Sequence, residues 1–286
     1  MGTVEVTWRL NVPEFLGLAD VGLDDADVDA HGEVYVSDGL NGRVYKFRAG
    51  EGLLDVFSVI QPLCIAEREC SLNVAVAADS TFCLADAHRE VVIRYDEAGA
   101  CIAEFAAPGV LSLCCGPDST IYVLSSAEGV ELINCYDEIG NLVNTLPAPA
   151  RHRARLDPSL VNLESDSEGS IYVSYGMPPY RVWKVKADGS EVAAWGRRIE
   201  HPEDAVLIAD IALDTQNSSD VLWVLLASKR FGRQMLDAFT PEGEFLGTLE
   251  IPHSDSMYGV VCASGGSDLC LLDTANGDLV RIAVSL

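Results

Sequence analysis

Asp24, Asp25, Asn73, Ser112, Asn162 and Asp210 stand roughly 40 to 50 residues apart, each inside or beside a short apolar segment. Oxygen-bearing side chains of this kind suit a hard divalent cation, Ca²⁺ or Mg²⁺, if the chain brings them to one point. Without a metal, the same set would line a wet cavity and bond to each other and to water. The corresponding position of a sixth segment is Gly259. Zinc chemistry needs several imidazoles meeting at one point. Of the five histidines, His31 falls in a turn, and His88, His152, His201 and His253 fall in separate loops. Nine cysteines show no CxxC or CxxCH spacing and sit mostly in apolar runs such as "TFCLAD" and "LSLCCG", as buried thiols do. Cys114 and Cys115 are the one adjacent pair, and neighbours in a strand point to opposite faces. No GxSxG, HExxH, phosphate-loop or dinucleotide-loop context is present in the sequence.

Whether these residues converge depends on the elements that carry them, and those elements repeat. "GEVYVSD" (32–38) is echoed by "STFCLAD" (80–86), "STIYVLS" (119–125), "GSIYVSY" (169–175), "DVLWVLL" (220–226) and "SDLCLLD" (267–273). A polar turn and a second strand follow each, such as "RVYKF", "VVIRYD" and "RVWKV". Five units then pass through a Gly-containing turn ("RAGEG", "DEAGA", "DEIGN", "KADGS", "PEGEF") into a third. Glycine there tolerates the positive φ of tight hairpins. A short strand precedes each unit, as in "DDADVDA", "LNVAVAA" and "VNLESDS". Four short strands on a period of 40 to 50 residues make one blade of a β-propeller.

The last unit stops at Leu286 one strand short, and the opening "TVEVTWRLNVP" has strand composition and no unit of its own. It is expected to complete the sixth blade and close the ring, which removes open sheet edges. The expected fold is therefore all-β, a six-bladed propeller of four antiparallel strands per blade, in one domain over residues 1–286. "VDAHGEVYVSDGLNGRVYKF" resembles the NHL-repeat family at almost every position, and the fourth unit is a fair match. That resemblance implies an interaction platform. A more distant likeness to gluconolactonase and regucalcin-like propellers implies a divalent cation in the central channel, held by side chains of the innermost strands. On this chain such a site would use Asp25, Asn73, Asn162 and Asp210, although that group's flanking motifs are missing. The same channel would also admit a small-molecule ligand.

The formal net charge is −25 and the pI near 4.3, which disfavours non-specific contact with nucleic acid or anionic membrane. No apolar run approaches a bilayer span, and "MGTVEVTWRLNVPEF" does not read as an export signal, so a cytoplasmic, soluble protein is expected. In a propeller, the one-to-two and three-to-four turns share one face, and here they are acidic. The two-to-three and blade-to-blade loops share the other. Twelve of the nineteen Lys and Arg fall there: Arg43, Arg68, Arg89, Arg151, Arg153, Arg155, Arg181, Arg197, Arg198, Lys229, Arg230 and Arg233. Tyr180, Met177 and Phe231 lie among them, and arginine beside aromatic side chains is typical of interface centres. Equally, these arginines could be solvated or paired with nearby acids.

The sequence thus points to a non-enzymatic interaction module, an accessory subunit of a larger assembly. It would dock a protein partner through Arg151, Arg153, Arg155, Tyr180, Arg181, Arg197, Arg198, Lys229, Arg230 and Arg233. The alternative is a hydrolase or lyase with a divalent cation at the channel mouth. A third reading, RNA binding on the basic face, is disfavoured by the acidic pI and the lack of a stacking platform of several aromatic residues.

Overall fold

A computed structural model describes residues 2–59, 72–127, 129–149, 161–176, 181–196, 207–215, 220–228, 233–251, 258–265 and 268–286. They form six four-stranded antiparallel sheets in a ring. Blade one holds β2 (Leu23–Val28), β3 (Glu33–Asp38), β4 (Arg43–Arg48) and β5 (Gly52–Ser58). Blade two holds β6 (Leu72–Val76), β7 (Phe82–Asp86), β8 (Val91–Tyr95) and β9 (Cys101–Ala106). Blade three holds β10 (Val110–Cys115), β11 (Ile121–Ala127), β12 (Val130–Tyr136) and β13 (Leu142–Pro147). Blade four holds β14 (Val161–Ser165), β15 (Ile171–Tyr175), β16 (Val182–Val185) and β17 (Glu191–Trp195). Blade five holds β18 (Leu207–Asp214), β19 (Val221–Ser228), β20 (Arg233–Phe239) and β21 (Phe245–Glu250).

Blade six combines β22 (Val260–Gly265), β23 (Asp268–Leu272) and β24 (Asp278–Ser285) with β1 (Thr3–Asn11) from the other end of the chain. β1 runs antiparallel to β24 from Thr3 opposite Ser285 to Asn11 opposite Asp278, so the expected closure is present. The seam is reinforced by an Arg9–Asp278 ion pair at 2.5 Å and by Asn11, whose side-chain amide donates to Asp278 at 3.1 Å. The repeat of strands predicts no helix, yet α1 (Val12–Leu16) follows β1. Its signals are local: Asn11 caps the first turn by accepting from Glu14 N, Pro13 sits in the first turn, and Gly17 ends it in the left-handed region. Among the described residues no helix is long and apolar enough to cross a membrane.

Second strands such as "VYV" and "IYV" are continuously apolar because both faces of a blade are covered by its neighbours. Every residue of β3, β7 and β15 is buried. The core accordingly divides into junctions. Tyr35 and Phe57 of blade one pack with Phe82, Leu84 and Tyr95 of blade two. Leu124 and Ile133 of blade three pack with Ile171 and Val173 of blade four. Cys114 joins that second junction, while its neighbour Cys115 packs toward blade two, as strand alternation requires.

The acidic turns are built structures. In Asp-x-x-Gly hairpins the first carboxylate accepts backbone N–H groups two and four residues on. Asp29 accepts from His31 and Glu33, Asp96 from Ala98 and Ala100, Asp137 from Ile139 and Asn141, and Asp166 from Glu168 and Ser170. Cations on the third strands reach back to these turns. Lys46 pairs with Glu33 at 2.5 Å, Arg94 with Asp79 at 3.3 Å, Lys184 with Asp166 at 3.4 Å and Arg281 with Asp268 at 2.6 Å. The acidic face therefore carries its own partial neutralisation.

The candidate channel site

An innermost strand has a backbone edge toward the axis, and the next blade's innermost strand splays away, so no ladder joins them. Its amide groups must find side chains or water. Asp25 answers this with both carboxylate oxygens: one accepts from Ala26 N at 2.9 Å, the other from Val74 N in blade two at 3.0 Å. Asp27 does the same with Val28 N at 2.7 Å and Val76 N at 2.6 Å. Asp210 binds Ile211 N at 2.8 Å and Val261 N of blade six at 2.9 Å. Asn162 ties blade four to blade five by donating to Ala209 O at 3.2 Å, and it also donates to Ser174 Oγ at 3.2 Å. Asp24 accepts from Gly39 N at 3.0 Å and from Leu72 N at 3.1 Å.

Register irregularities aim these side chains. β2 slips against β3 between Leu23 and Ala26, β10 against β11 between Val110 and Ser112, and β18 against β19 between Ile208 and Asp210. Bulges turn a strand locally and reorient the side chains beside them. Here they fall at or beside Asp25, Ser112 and Asp210.

The result is a cavity of about 220 Å³ that brings together all four residues of the expected cation set, Asp25, Asn73, Asn162 and Asp210. Ser112 lines it as well; Asp24 and Gly259 do not, and blade six contributes the apolar Val261 and Ala263. Sequence reading missed Asp27 and Glu164, which also line the cavity. The signal was available: each stands two residues after a chosen residue on the same strand, hence on the same face.

Among the described residues no Lys, Arg or His lines the cavity, so its carboxylates meet no described cationic side chain there. Burial raises Asp25 to about 6 and Asp27 to about 7, opposed by the amide hydrogen bonds each accepts. Asp24, just outside, is likewise pushed by burial to about 7. Burial drives Glu164 well above the usual range, with Asp27 and Asp210 adding repulsion, and it does the same to Asp210, with Asp25 adding to it. Such a site can hold protons near neutral pH or compensate a cation. Its amide carbonyls and carboxylates are the donor types a hard divalent ion takes. Among the described residues no group of three His, Cys, Asp or Glu is arranged as a metal-binding cluster.

The expected docking residues fare differently. Arg151, Arg153, Arg155, Tyr180, Arg197, Arg198, Lys229 and Arg230 lie outside the described residues, as do Arg68, Met177 and Phe231. Arg181 is exposed just before β16, and Arg233 opens β20. Arg43 opens β4 opposite Asp38, and Arg89 pairs with Glu104 at 2.8 Å, which is the paired rather than the free form of a loop arginine.

No family model matches the chain, and no curated protein matches it. The NHL resemblance therefore stands on the quoted residues alone. Among solved structures, the chain is similar to virginiamycin B lyase from Staphylococcus aureus at 12% identity, covering 99% of each chain with a TM-score of 0.62. It is similar to the PQQ-bound form of aldose sugar dehydrogenase from Streptomyces coelicolor at 16% identity, covering 100% of this chain and 99% of that one, TM-score 0.62. It is also similar to the β-propeller domain of Cps50 (Swd1) from Myceliophteria thermophila at 10% identity, covering 99% and 100%, TM-score 0.59. At these identities the likeness shows the fold, a β-propeller, and the fold is shared by proteins with quite different names and activities.

Proposed function

We propose that this propeller is a non-enzymatic interaction module, an NHL-like platform serving as an accessory subunit of a larger assembly. Its partner docks on the two-to-three and blade-to-blade loops of blades three to five, through Arg151, Arg153, Arg155, Tyr180, Arg181, Arg197, Arg198, Lys229, Arg230 and Arg233. The observation that carries this reading is the occupation of the channel. Asp25, Asp27 and Asp210 each accept from their own strand with one carboxylate oxygen and from the next blade with the other, so the polarity of these three is accounted for by ring assembly. Residues free to specialise then lie in the loops, where a strongly acidic chain concentrates its positive charge. Replacing Arg151, Arg153 and Arg155 by Glu is expected to abolish co-purification of the partner identified with the wild-type chain. Undiminished recovery means that these arginines are ordinary surface.

A second reading is favoured by one specific feature, the acidic lining with no cationic side chain among the described residues. A divalent cation on Asp25, Asn73, Asn162 and Asp210 would relieve the repulsion among Asp25, Asp27, Glu164 and Asp210 and could serve a hydrolase or lyase at the channel mouth. Elemental analysis of purified protein before and after chelation decides between them. Stoichiometric, chelator-sensitive Ca²⁺ or Mg²⁺ supports the second reading and displaces the first account of the channel.

A further inference from the structure

The four most exposed large hydrophobic side chains among the described residues all belong to the outer hairpin of blade three: Ile139 at 63%, Val143 at 61%, Val130 at 58% and Leu142 at 57%. Ile139, Leu142 and Val143 gather at the turn joining β12 to β13, and Val130 stands at the opposite end. β13 itself, "LVNTLP", carries no charge. Each of the other five outermost strands carries an acidic residue: Asp55, Glu104, Glu191, Glu250 and Glu5. Charge on an edge strand is a common defence against association, and β13 lacks it.

The apolar end is held rigid. Asp137 accepts from Ile139 N, Asn141 N and Asn141 Nδ2, at 3.1, 2.8 and 2.8 Å, and Arg94 of blade two donates to Glu138 O at 3.0 Å. A fixed surface loses little freedom on binding. Strand addition is not its use. Thr145 N already donates to Asn144 Oδ1 at 2.9 Å, and Pro147 has no N–H to offer. Recognition must run through side chains.

Charge selects the occupant. Glu138 is exposed at the turn beside Asp137, the adjacent turn of blade two adds Asp96 and Glu97, and Arg94 of blade two is buried and already paired with Asp79. The following turn, in blade four, meets the other end of β13, where Gly189 faces Leu146 and Pro147. A second copy of this chain would set two acidic rims, each on a molecule of net charge −25, against one another. We propose that this end of the blade-three outer hairpin is a docking surface for a protein that presents an apolar cluster bordered by lysine or arginine.

The test uses an amphipathic helical peptide with a leucine stripe bordered by lysines, and a counterpart with glutamates in their place, titrated against the full chain by fluorescence anisotropy. The lysine peptide is expected to bind, and both the Leu142→Ser/Val143→Ser double variant and Glu138→Lys are expected to weaken it by about tenfold or more. All three side chains are exposed, and circular dichroism confirms the fold of the variants. No binding, equal binding of the two peptides, or affinity unchanged in both variants overturns the proposal. So does a wild-type dimer in sedimentation that the serine variant dissolves, which makes a second copy the occupant. Charge reversal at Arg151, Arg153 and Arg155 leaves this peptide binding intact, so the fate of the loop-face reading is separate.

Discussion

Gly140 shows how closely one residue can tie two blades. It sits in the β12–β13 turn at φ +88°, and a Cβ added there would lie 2.3 Å from Phe105 Cδ1 of blade two. Gly99 stands in the same relation to Phe57, and Gly243 to Trp195, so an outer-strand ring beneath the next blade's turn glycine is a recurring latch. Gly129 has a similar φ of +80° with nothing within 4 Å of its added Cβ. Gly140→Ala therefore adds overpacking to backbone strain and is expected to cost more stability than Gly129→Ala, by about 1–3 kcal/mol in urea unfolding. Equal losses would mean that the ring yields freely. The glycine-containing turns were visible in the sequence, but the latch was not, because Phe105 and Gly140 meet only once two blades are stacked.

Elements were the most legible level. The second strands and the innermost strands fall where the repeat placed them, because a buried blade imposes a continuous apolar run and a turn on either side. Asp25, Asn73, Asn162 and Asp210 were found because they occupy equivalent places in repeated segments. Asp27 and Glu164 escape a comparison of aligned repeat positions, because it does not follow each strand two residues further along the same face. α1 was missed for a different reason: five residues between Asn11 and Gly17 are too few to show helical periodicity, although their caps were present. The shared sixth blade gives the sharpest test at this scale. Deleting residues 2–11 strips the partner from β24 and removes the Arg9–Asp278 and Asn11–Asp278 contacts. The truncated chain is expected to lose its cooperative thermal transition and to aggregate. A transition within a few degrees of the full chain would show that five intact blades suffice.

For the whole ring, the channel gathers carboxylates from blades one, four and five into one electrostatic unit. Asp24, Asp25 and Asp27 are raised from the ordinary carboxylate value to about 7, 6 and 7 in the fold. The folded state thus binds protons more tightly than the unfolded chain, and stability falls as pH rises from the unfolded pKa through these folded values. The opposite group, Glu33, Asp79, Asp137 and Asp188, is lowered by ion pairs and hydrogen bonds and withdraws its support only at lower pH. Thermal unfolding should accordingly show a higher Tm at about pH 5.5 than at about pH 8. A Tm that rises toward pH 8 would mean that the channel charges are compensated.

The ring's closure also sets a schedule. Arg9 and its partner Asp278 are 269 residues apart, and they meet in one sheet. On a ribosome adding about 5–20 residues per second, β1 emerges ahead of the rest of the ring and waits roughly 15–60 s for β24. Through that interval β1, with Val4, Val6, Trp8 and Leu10 alternating along it, stays unpaired while blades one to five assemble behind it. Within the ring, β1 is therefore the strand longest exposed to misassociation, and a chaperone that shelters it would raise the yield more than one acting on any internal blade.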